Sequence, residues 1–444
     1  MSDGHGHAVV CGAGMAGLFA AAALAPHYRH VTLIERDRLA ALDFRPRKGI
    51  PQGHHVHGLL LRGAEAFEEL LPGLRDELVG AGAELVRVPE DFWIEFMGHS
   101  LSTPVTDYRG IMASRPFLES HVRRRVLALP GVALRDGHEA GSLLYNAGNT
   151  RVAGVRLTRA GSDQRSESME ADLVVDAQGR SARGLVWRED LGFQRPREAR
   201  IAVGVRYTSQ HFHLPPSTAT TAVKLFNVAF PSGSRRRGAF LARQEHDQWV
   251  LSLTHYDDDV KAPADLRSQA RDLLPGPAYE LLAAGEPLDA PAGFRFPGGH
   301  RRFYERLRRH PAGLISTGDA ICCLNPLYGT GMTIAAELAL RLRSSLADGP
   351  PTTLPARFYR QAARVARSSW LTSSLFDRVL NPPRARAPFT AMAAGYAQRL
   401  AAAAAHDPAL ALAIVECLSR VSSPLALARP DAILRTLCRS NPRL

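Results

Sequence analysis

The apolar positions of this chain change period twice. Residues 8–11 are uniformly apolar, run into a glycine-rich turn and lead into an Ala-rich stretch at 18–24, a pattern that predicts a buried parallel strand followed by a helix. A second such strand, 30–34, ends in Glu35. Residues 61–80 read as an amphipathic helix and 84–109 as strands around Phe92-Trp93-Ile94-Glu95-Phe96. Ser114-Arg115-Pro116 opens a helix, with Ser114 as N-cap and Pro116 in the first turn. A strand near 132–135, a hairpin over 140–170 and a third buried strand at 171–176 follow. From 200 to 300 the pattern leans to period two, in 201–207, 221–230, 239–243 and 248–255, which predicts an antiparallel sheet with Val203 and Val205 on one face and Ala202 and Gly204 on the other. Buried-strand character returns at 313–317, ahead of a long helix through Arg343, and beyond Pro350-Pro351 the segments 357–378, 388–405 and 408–421 are helix-patterned.

The order is that of an α/β fold. A Rossmann-like nucleotide-binding domain (1–80, 110–195 and 300–345) is interleaved with an antiparallel-sheet substrate domain (81–109 and 196–299), and a helical cap (346–444) closes the chain. With 444 residues and 45% hydrophobic composition there is material for two or three domains and a large core. No stretch reaches the ~18 apolar residues of a membrane span, and the start of the sequence lacks a charged and then apolar leader pattern, so the expected location is the cytoplasm with no integral membrane segment. Cys11, Cys322, Cys323, Cys417 and Cys438 show no metal-ligand spacing, which points to free thiols and no metal. The net charge of +12 is carried almost wholly by arginine, since lysine occurs only at 48, 224 and 261. The clusters at 123–125, 235–237 and 306–309 lack aromatic interleaving or a nucleic-acid motif, so they read as a solvated basic face and no nucleic-acid partner is expected.

Chemistry concentrates at the strand ends. In Gly12-Ala13-Gly14-Met15-Ala16-Gly17, Gly12 permits the tight turn, Gly14 lets backbone approach a pyrophosphate, and Gly17 lets the helix lie against the strand. Glu35 stands at the offset of the acid that accepts from an adenosine ribose. Strand, glycine turn, helix and terminal acid together predict a dinucleotide site, and the motif alone does not choose between FAD and NAD. Arg115, at a helix entrance, either pairs with a carboxylate or reaches a phosphate. The strand ending at Asp176 runs into the turn Ala177-Gln178-Gly179-Arg180, at the sheet edge where ligands collect. Gly318-Asp319 followed by Pro326-Leu327-Tyr328-Gly329-Thr330-Gly331-Met332 is a second glycine-rich loop before a helix, with Asp319 suited to sugar-like hydroxyls. His54, His55 and His57 lack helical i, i+4 spacing and a nearby fourth ligand, and read as the rim of a cofactor or substrate site.

Together these motifs resemble the group A flavoprotein monooxygenases of the aromatic-hydroxylase fold, over residues 8 to about 345. Within that group, the loop 47–57 and the run 318–332 are most similar to the polyene epoxidases of bacterial polyether-antibiotic pathways. The resemblance implies FAD as cofactor, with Gly12, Gly14, Gly17 and Glu35 on its ADP half, Arg115 near the pyrophosphate, Asp319 at pyrophosphate and ribitol, and the Gly329-Thr330-Gly331-Met332 backbone beside the isoalloxazine. Met15, Ala16, Arg36, Arg47, Lys48, Gln52, Asp176 and Pro326 complete the implied cofactor-binding set. It also implies dioxygen as co-substrate and oxygenation through a flavin C4a-hydroperoxide, by epoxidation or hydroxylation of an apolar polyketide- or terpenoid-like intermediate of specialised metabolism. No catalytic side chain is assigned, because the cofactor carries the hard step. The family's Asp-Gly after the third strand, associated with NADPH, is replaced by Asp176-Ala177, so the electron donor is NAD(P)H or a separate flavin reductase. The Trp-x-Trp-x-Ile-Pro signature of flavin halogenases is missing. An FAD-containing cyclase of the same fold, with no net redox step, shares every motif and stays open as the alternative.

Overall fold

Ala8, Val9 and Val10 are fully buried, and the strand they form lies at the centre of a five-stranded parallel sheet. The structure, a computed structural model, describes residues 5–40, 44–148, 151–161, 166–215, 223–230, 236–256, 265–380 and 388–439. Parts of the predicted 140–170 hairpin, the start of the predicted 221–230 strand, Arg235 and Lys261 lie outside the described residues. In chain order, the elements that position the site are β1 (His5–Cys11), α1 (Met15–Leu24), β2 (Tyr28–Glu35), β3 (Phe92–Phe96), α2 (Arg115–Leu127), β4 (Val132–Asp136), β5 (Leu173–Asp176), β6 (Glu198–His213), β7 (Leu225–Phe230), β8 (Arg237–Arg243), β9 (Gln248–His255), β10 (Ala292–Arg302), β11 (Leu314–Ser316), β12 (Cys322–Cys323), α3 (Gly331–Ala347) and α4 (Leu354–Leu380).

The parallel sheet has the order β11-β5-β1-β2-β4. The carboxyl ends of β1, β5 and β11 therefore sit side by side, where ligands of open α/β sheets collect. α1 and α3 share one apolar core with the sheet. A larger sheet runs β12-β10-β6-β9-β8-β7-β3, antiparallel except for the parallel pair β7 and β3. The C-terminal helices pack on its inner face, with Leu400, Leu410 and Ile414 in one cluster with Val203, Val205 and Phe296.

The structure departs from the sequence pattern in four places. The 61–80 helix is two helices, Leu61–Leu70 and Leu74–Gly80, because Pro72 and Gly73, the latter at φ +81°, break it. Of the strands predicted over 84–109, Glu84–Arg87 and Arg109–Met112 pair with each other and with Gly58–Leu59 as a small separate sheet. On β6, Gly204 at φ +68° accompanies a register shift against β10 between Ala202 and Val205, so the strict period of two fails there. Val203 and Val205 are buried while Ala202 is exposed, so the valines face the interior. Finally, a helix at Pro430–Arg439 follows those that the sequence pattern suggested.

Candidate functional site

Three glycines of the first loop differ in what keeps them glycine. A Cβ on Gly12 would lie 2.7 Å from the Ala177 carbonyl oxygen, and one on Gly17 only 1.8 Å from that of Gly12. Both are required by the protein's own packing. At Gly14 a Cβ would meet nothing nearer than Ile50 Cδ1 at 3.5 Å, an ordinary contact, and φ is −74°. Neither packing nor conformation demands glycine there, and the open side of Gly14 faces the cavity. α1 has no side-chain N-cap and no acid in its first turn, so its amide end is free for an anion.

Glu35, at the end of β2, is buried and accepts from the backbone N–H of Ala13 (3.0 Å) and of Asp37 (3.1 Å). Arg47 gathers three carboxylates, standing 2.9 Å from Asp37, 2.8 Å from Glu119 and 3.4 Å from Glu35. Ser114 caps α2 by accepting from the Phe117 N–H. Of the two roles open to Arg115 from the sequence, the structure shows the carboxylate pair, with Glu119 at 2.7 Å, and the residue also lines the cavity.

The second loop closes on the first. Gly318, at φ +64°, would bring a Cβ to 2.5 Å from that of Ala16, so glycine is required for the two loops to touch. Asp319 lines the cavity, where burial pushes its carboxyl pKa up, and its carbonyl accepts from His300 Nε2 at 2.9 Å. A Cβ on Gly329 or Gly331 would meet nothing within 4 Å, and α3 likewise begins without a side-chain cap or an acid in its first turn.

Both loops open onto one cavity of about 1050 Å³. Typical small-molecule sites are roughly 300–1,000 Å³, so this cavity stands at the upper end of that range. Away from the loops the walls turn apolar, with Phe92, Ile94, Leu225, Phe240, Phe294 and Phe296. Of the residues singled out from the sequence, Gly12, Gly14, Met15, Ala16, Glu35, Arg36, Arg47, Gln52, Arg115, Asp319, Pro326, Gly329, Gly331 and Met332 line it. Three do not. Gly17 supports the turn from behind, Lys48 is exposed, and the buried Asp176 carboxylate is turned under its loop to accept from the N–H groups of Gln178 (3.2 Å) and Gly184 (2.9 Å). His55 and His57 line the cavity, and no group of three or more His, Cys, Asp or Glu among the described residues could hold a metal ion.

A buried network beside the second loop carried no signal in the local sequence. Asp377 of α4 accepts from Asn325 Nδ2 and from the Tyr328 hydroxyl, both at 2.8 Å, while the Tyr207 hydroxyl donates to Asn325 Oδ1 at 3.1 Å. Desolvation lifts the Asp377 carboxyl to about 6 despite these donors. A carboxyl whose folded pKa exceeds its unfolded one costs stability once ionised, so that cost grows as pH rises from 4 to 6 and is constant above. Asp377→Asn keeps an acceptor for both donors and removes the charge. The variant is expected to be more stable than the wild type by about 3 kcal/mol at pH 7.5, with the gap closing towards pH 4. Denaturant melts at both pH values check this, and a gap that widens on acidification contradicts it.

Two glycine loops at the edge of a parallel sheet, joined by a cavity to an antiparallel wall, define the fold of the flavin-dependent hydroxylases and halogenases. The chain superposes on the flavin-dependent brominase Bmp2 with a TM-score of 0.69 at 14% identity, over 98% of this chain and 99% of that one. For p-nitrophenol 4-monooxygenase PnpA from Pseudomonas putida DLL-E4 the TM-score is 0.66 at 17% identity, over 95% and 99%. For PqsL, a probable FAD-dependent monooxygenase from Pseudomonas aeruginosa, it is 0.62 at 16% identity, over 85% and 97%. No family model matches the sequence. The chain is 35% identical over 386 residues to Protein Rv3254 of Mycobacterium tuberculosis, across 84% of this chain and 80% of that protein, and it belongs to the family of that protein. Among the described residues no helix is long and apolar enough to cross a membrane.

Proposed function

We propose that this chain is an FAD-dependent monooxygenase that epoxidises or hydroxylates an apolar polyketide- or terpenoid-like intermediate. The observation that carries the reading is one continuous cavity joining two uncapped helix N-termini to an apolar wall. The fit to FAD rests on Gly14, glycine without any demand from the protein itself, and on the open backbone at Gly329 and Gly331. In this reading Gly12, Gly14, Met15, Ala16, Glu35, Arg36, Arg47 and Gln52 hold the ADP half, with Gly17 and Lys48 flanking. Arg115 and the α1 amides face the pyrophosphate, Asp319 takes ribitol hydroxyls, and Pro326, Gly329, Gly331 and Met332 border the ring. FAD, when bound, supplies the activation of dioxygen and the transfer of one oxygen atom. The chain supplies binding, orientation and exclusion of water: Phe92, Phe240, Phe294 and Phe296 desolvate the apolar end, and Arg180 lies over the Phe296 ring at 5.2 Å. The fold neighbours, a p-nitrophenol 4-monooxygenase among them, support the same class. The Asp176-Ala177 turn, in place of the family's Asp-Gly, is the basis for reading a separate flavin reductase rather than NADPH alone as donor.

Oxygen uptake tests this. FAD-loaded protein supplied with NADPH and a flavin reductase should consume dioxygen faster when an apolar polyketide-like substrate is present, and product from ¹⁸O₂ should carry one labelled atom. Tightly held FAD with substrate turnover but no labelled product would overturn the oxygenase reading in favour of the cyclase.

A further inference from the structure

A second pocket, of about 470 Å³, lies where α3 turns into α4 and shares no residue with the large cavity. α3 lines it with Arg341, Ser344 and the C-cap Asp348, and α4 with Arg357, Arg360, Gln361 and Arg364. Positions 341, 344 and 348, like 357, 360 and 364, follow the i, i+3, i+7 spacing of one helix face, so two faces meet across it. Arg341 stands ~15 Å along α3 from Gly331, at 1.5 Å per residue, which separates this pocket from the glycine loops.

Its lining is polar throughout, and four guanidiniums face one carboxylate. Arg357 is already engaged: it donates to the carbonyl oxygens of Ser345 (3.0 Å), Gly349 (2.9 Å) and Pro350 (3.0 Å), tying the end of α3 to α4. Arg341, Arg360 and Arg364 are exposed, and none of them forms a hydrogen bond or ion pair with a described residue. Asp348 accepts from Gln361 Nε2 at 3.5 Å, and Glu337, one turn before Arg341, is held instead by Arg62 and Arg420.

This arrangement works against the helix that carries it. Arg360 and Arg364 are like charges at i, i+4. Arg357 and Arg360 fall in the first two turns of α4, whose positive end has no acid in its first turn to offset them. A bound anion would relieve both costs at once. Guanidiniums offered from two helices suit phosphate oxygens, which accept paired N–H bonds, better than they suit a single carboxylate.

We propose that the pocket between α3 and α4 binds a phosphate-bearing polyanion of the diphosphate class, held by Arg341, Arg360 and Arg364, with Arg357 fixed behind them. The site is separate from the proposed cofactor cavity and does not depend on the monooxygenase reading. Because the arginines surround a pocket, the expected source is a free diphosphate ester and not a lipid headgroup.

Calorimetric titration of the FAD-loaded protein with inorganic pyrophosphate tests this, with ADP as a second ligand. One equivalent of each should bind the wild type, and Gly14→Val should bind pyrophosphate equally well without FAD, which keeps the site apart from the α1 amides. Arg360→Gln/Arg364→Gln should lose at least tenfold in affinity with melting temperature and FAD content unchanged. The corresponding double lysine variant keeps the charge but not the paired N–H groups, and should lose about threefold. Arg367→Gln, one turn beyond the pocket, should stay within twofold. No binding to the wild type, or equal losses in Arg367→Gln and Arg360→Gln/Arg364→Gln, overturns the proposal, the second result marking an undifferentiated basic surface. So does capture by phosphatidylcholine vesicles containing phosphatidic acid when neither pyrophosphate nor ADP binds. Pyrophosphate binding that vanishes in Gly14→Val and persists in Arg360→Gln/Arg364→Gln would assign the anion to the first glycine loop and overturn it as well.

Discussion

Gly14→Val is expected to leave the ligand-free chain folded, with a melting temperature within a few degrees of the wild type, and to weaken FAD binding 100-fold or more. The folded-state part follows from the 3.5 Å clearance to Ile50 and from a backbone at φ −74° that valine adopts without strain. The binding part follows from the direction of the missing side chain, which would fill the space over the α1 amides that a pyrophosphate needs. A 100-fold loss is about 2.8 kcal/mol, the order of one or two charge-assisted hydrogen bonds. Gly17→Val is the control with the opposite signature. A Cβ 1.8 Å from the Gly12 carbonyl oxygen cannot be accommodated without moving helix from strand, so this variant should fail to fold or lose several degrees before any ligand is added. Circular dichroism melts and flavin absorbance on the two proteins separate the cases. Wild-type FAD content in Gly14→Val would remove the pyrophosphate from this loop.

Arg47→Met should have the second-largest effect, on stability as well as binding. Its guanidinium touches Glu35, Asp37 and Glu119, and Glu119 is only 4% exposed. Truncating it leaves like charges together in a partly dry site, with Arg115 and Arg123 as the remaining cations near Glu119. Breaking a buried pair on one side typically costs about 3–5 kcal/mol, and the low end is expected here because those arginines compensate. FAD affinity should drop in parallel, since Glu35 and the Gly12-Ala13-Gly14 turn are held by the same network through the Ala13 N–H. The adjacent Lys48→Ala, at an exposed position, should stay within about 0.5 kcal/mol of wild type. A loss below 1 kcal/mol for Arg47→Met would show that the arginine does not organise the site.

These two residues also mark how far the sequence could be read. Glycine loops, Glu35 and Gly318-Asp319 are legible because each is a local pattern: an apolar strand, a turn that only glycine permits, and a helix start within a dozen residues. The fold class followed from the change of period from buried strand to alternation and back. Arg47 was singled out through a family likeness, but its partner Glu119 is 72 residues away and no local pattern connects them. Asp377 is the clearer case: it sits in a 27-residue amphipathic helix as one polar position among many, and only the fold brings it to Asn325, 52 residues distant. The His55-Val56-His57 segment carried donor-capable side chains in plain view, yet which His57 nitrogen carries the proton depends on a carbonyl two residues back, a matter of backbone direction that composition does not encode. Long-range pairing and hydrogen-bond direction are the two things that local pattern leaves open.

The most direct measurement is a titration of the flavin-stripped wild-type chain with FAD, FMN and NAD, followed by gel filtration and an absorbance spectrum of the protein peak. One FAD per chain, retained through the column and not displaced by NAD or FMN, is the predicted result. A peak without flavin absorbance at saturating FAD, or one that holds NAD in preference, would contradict it.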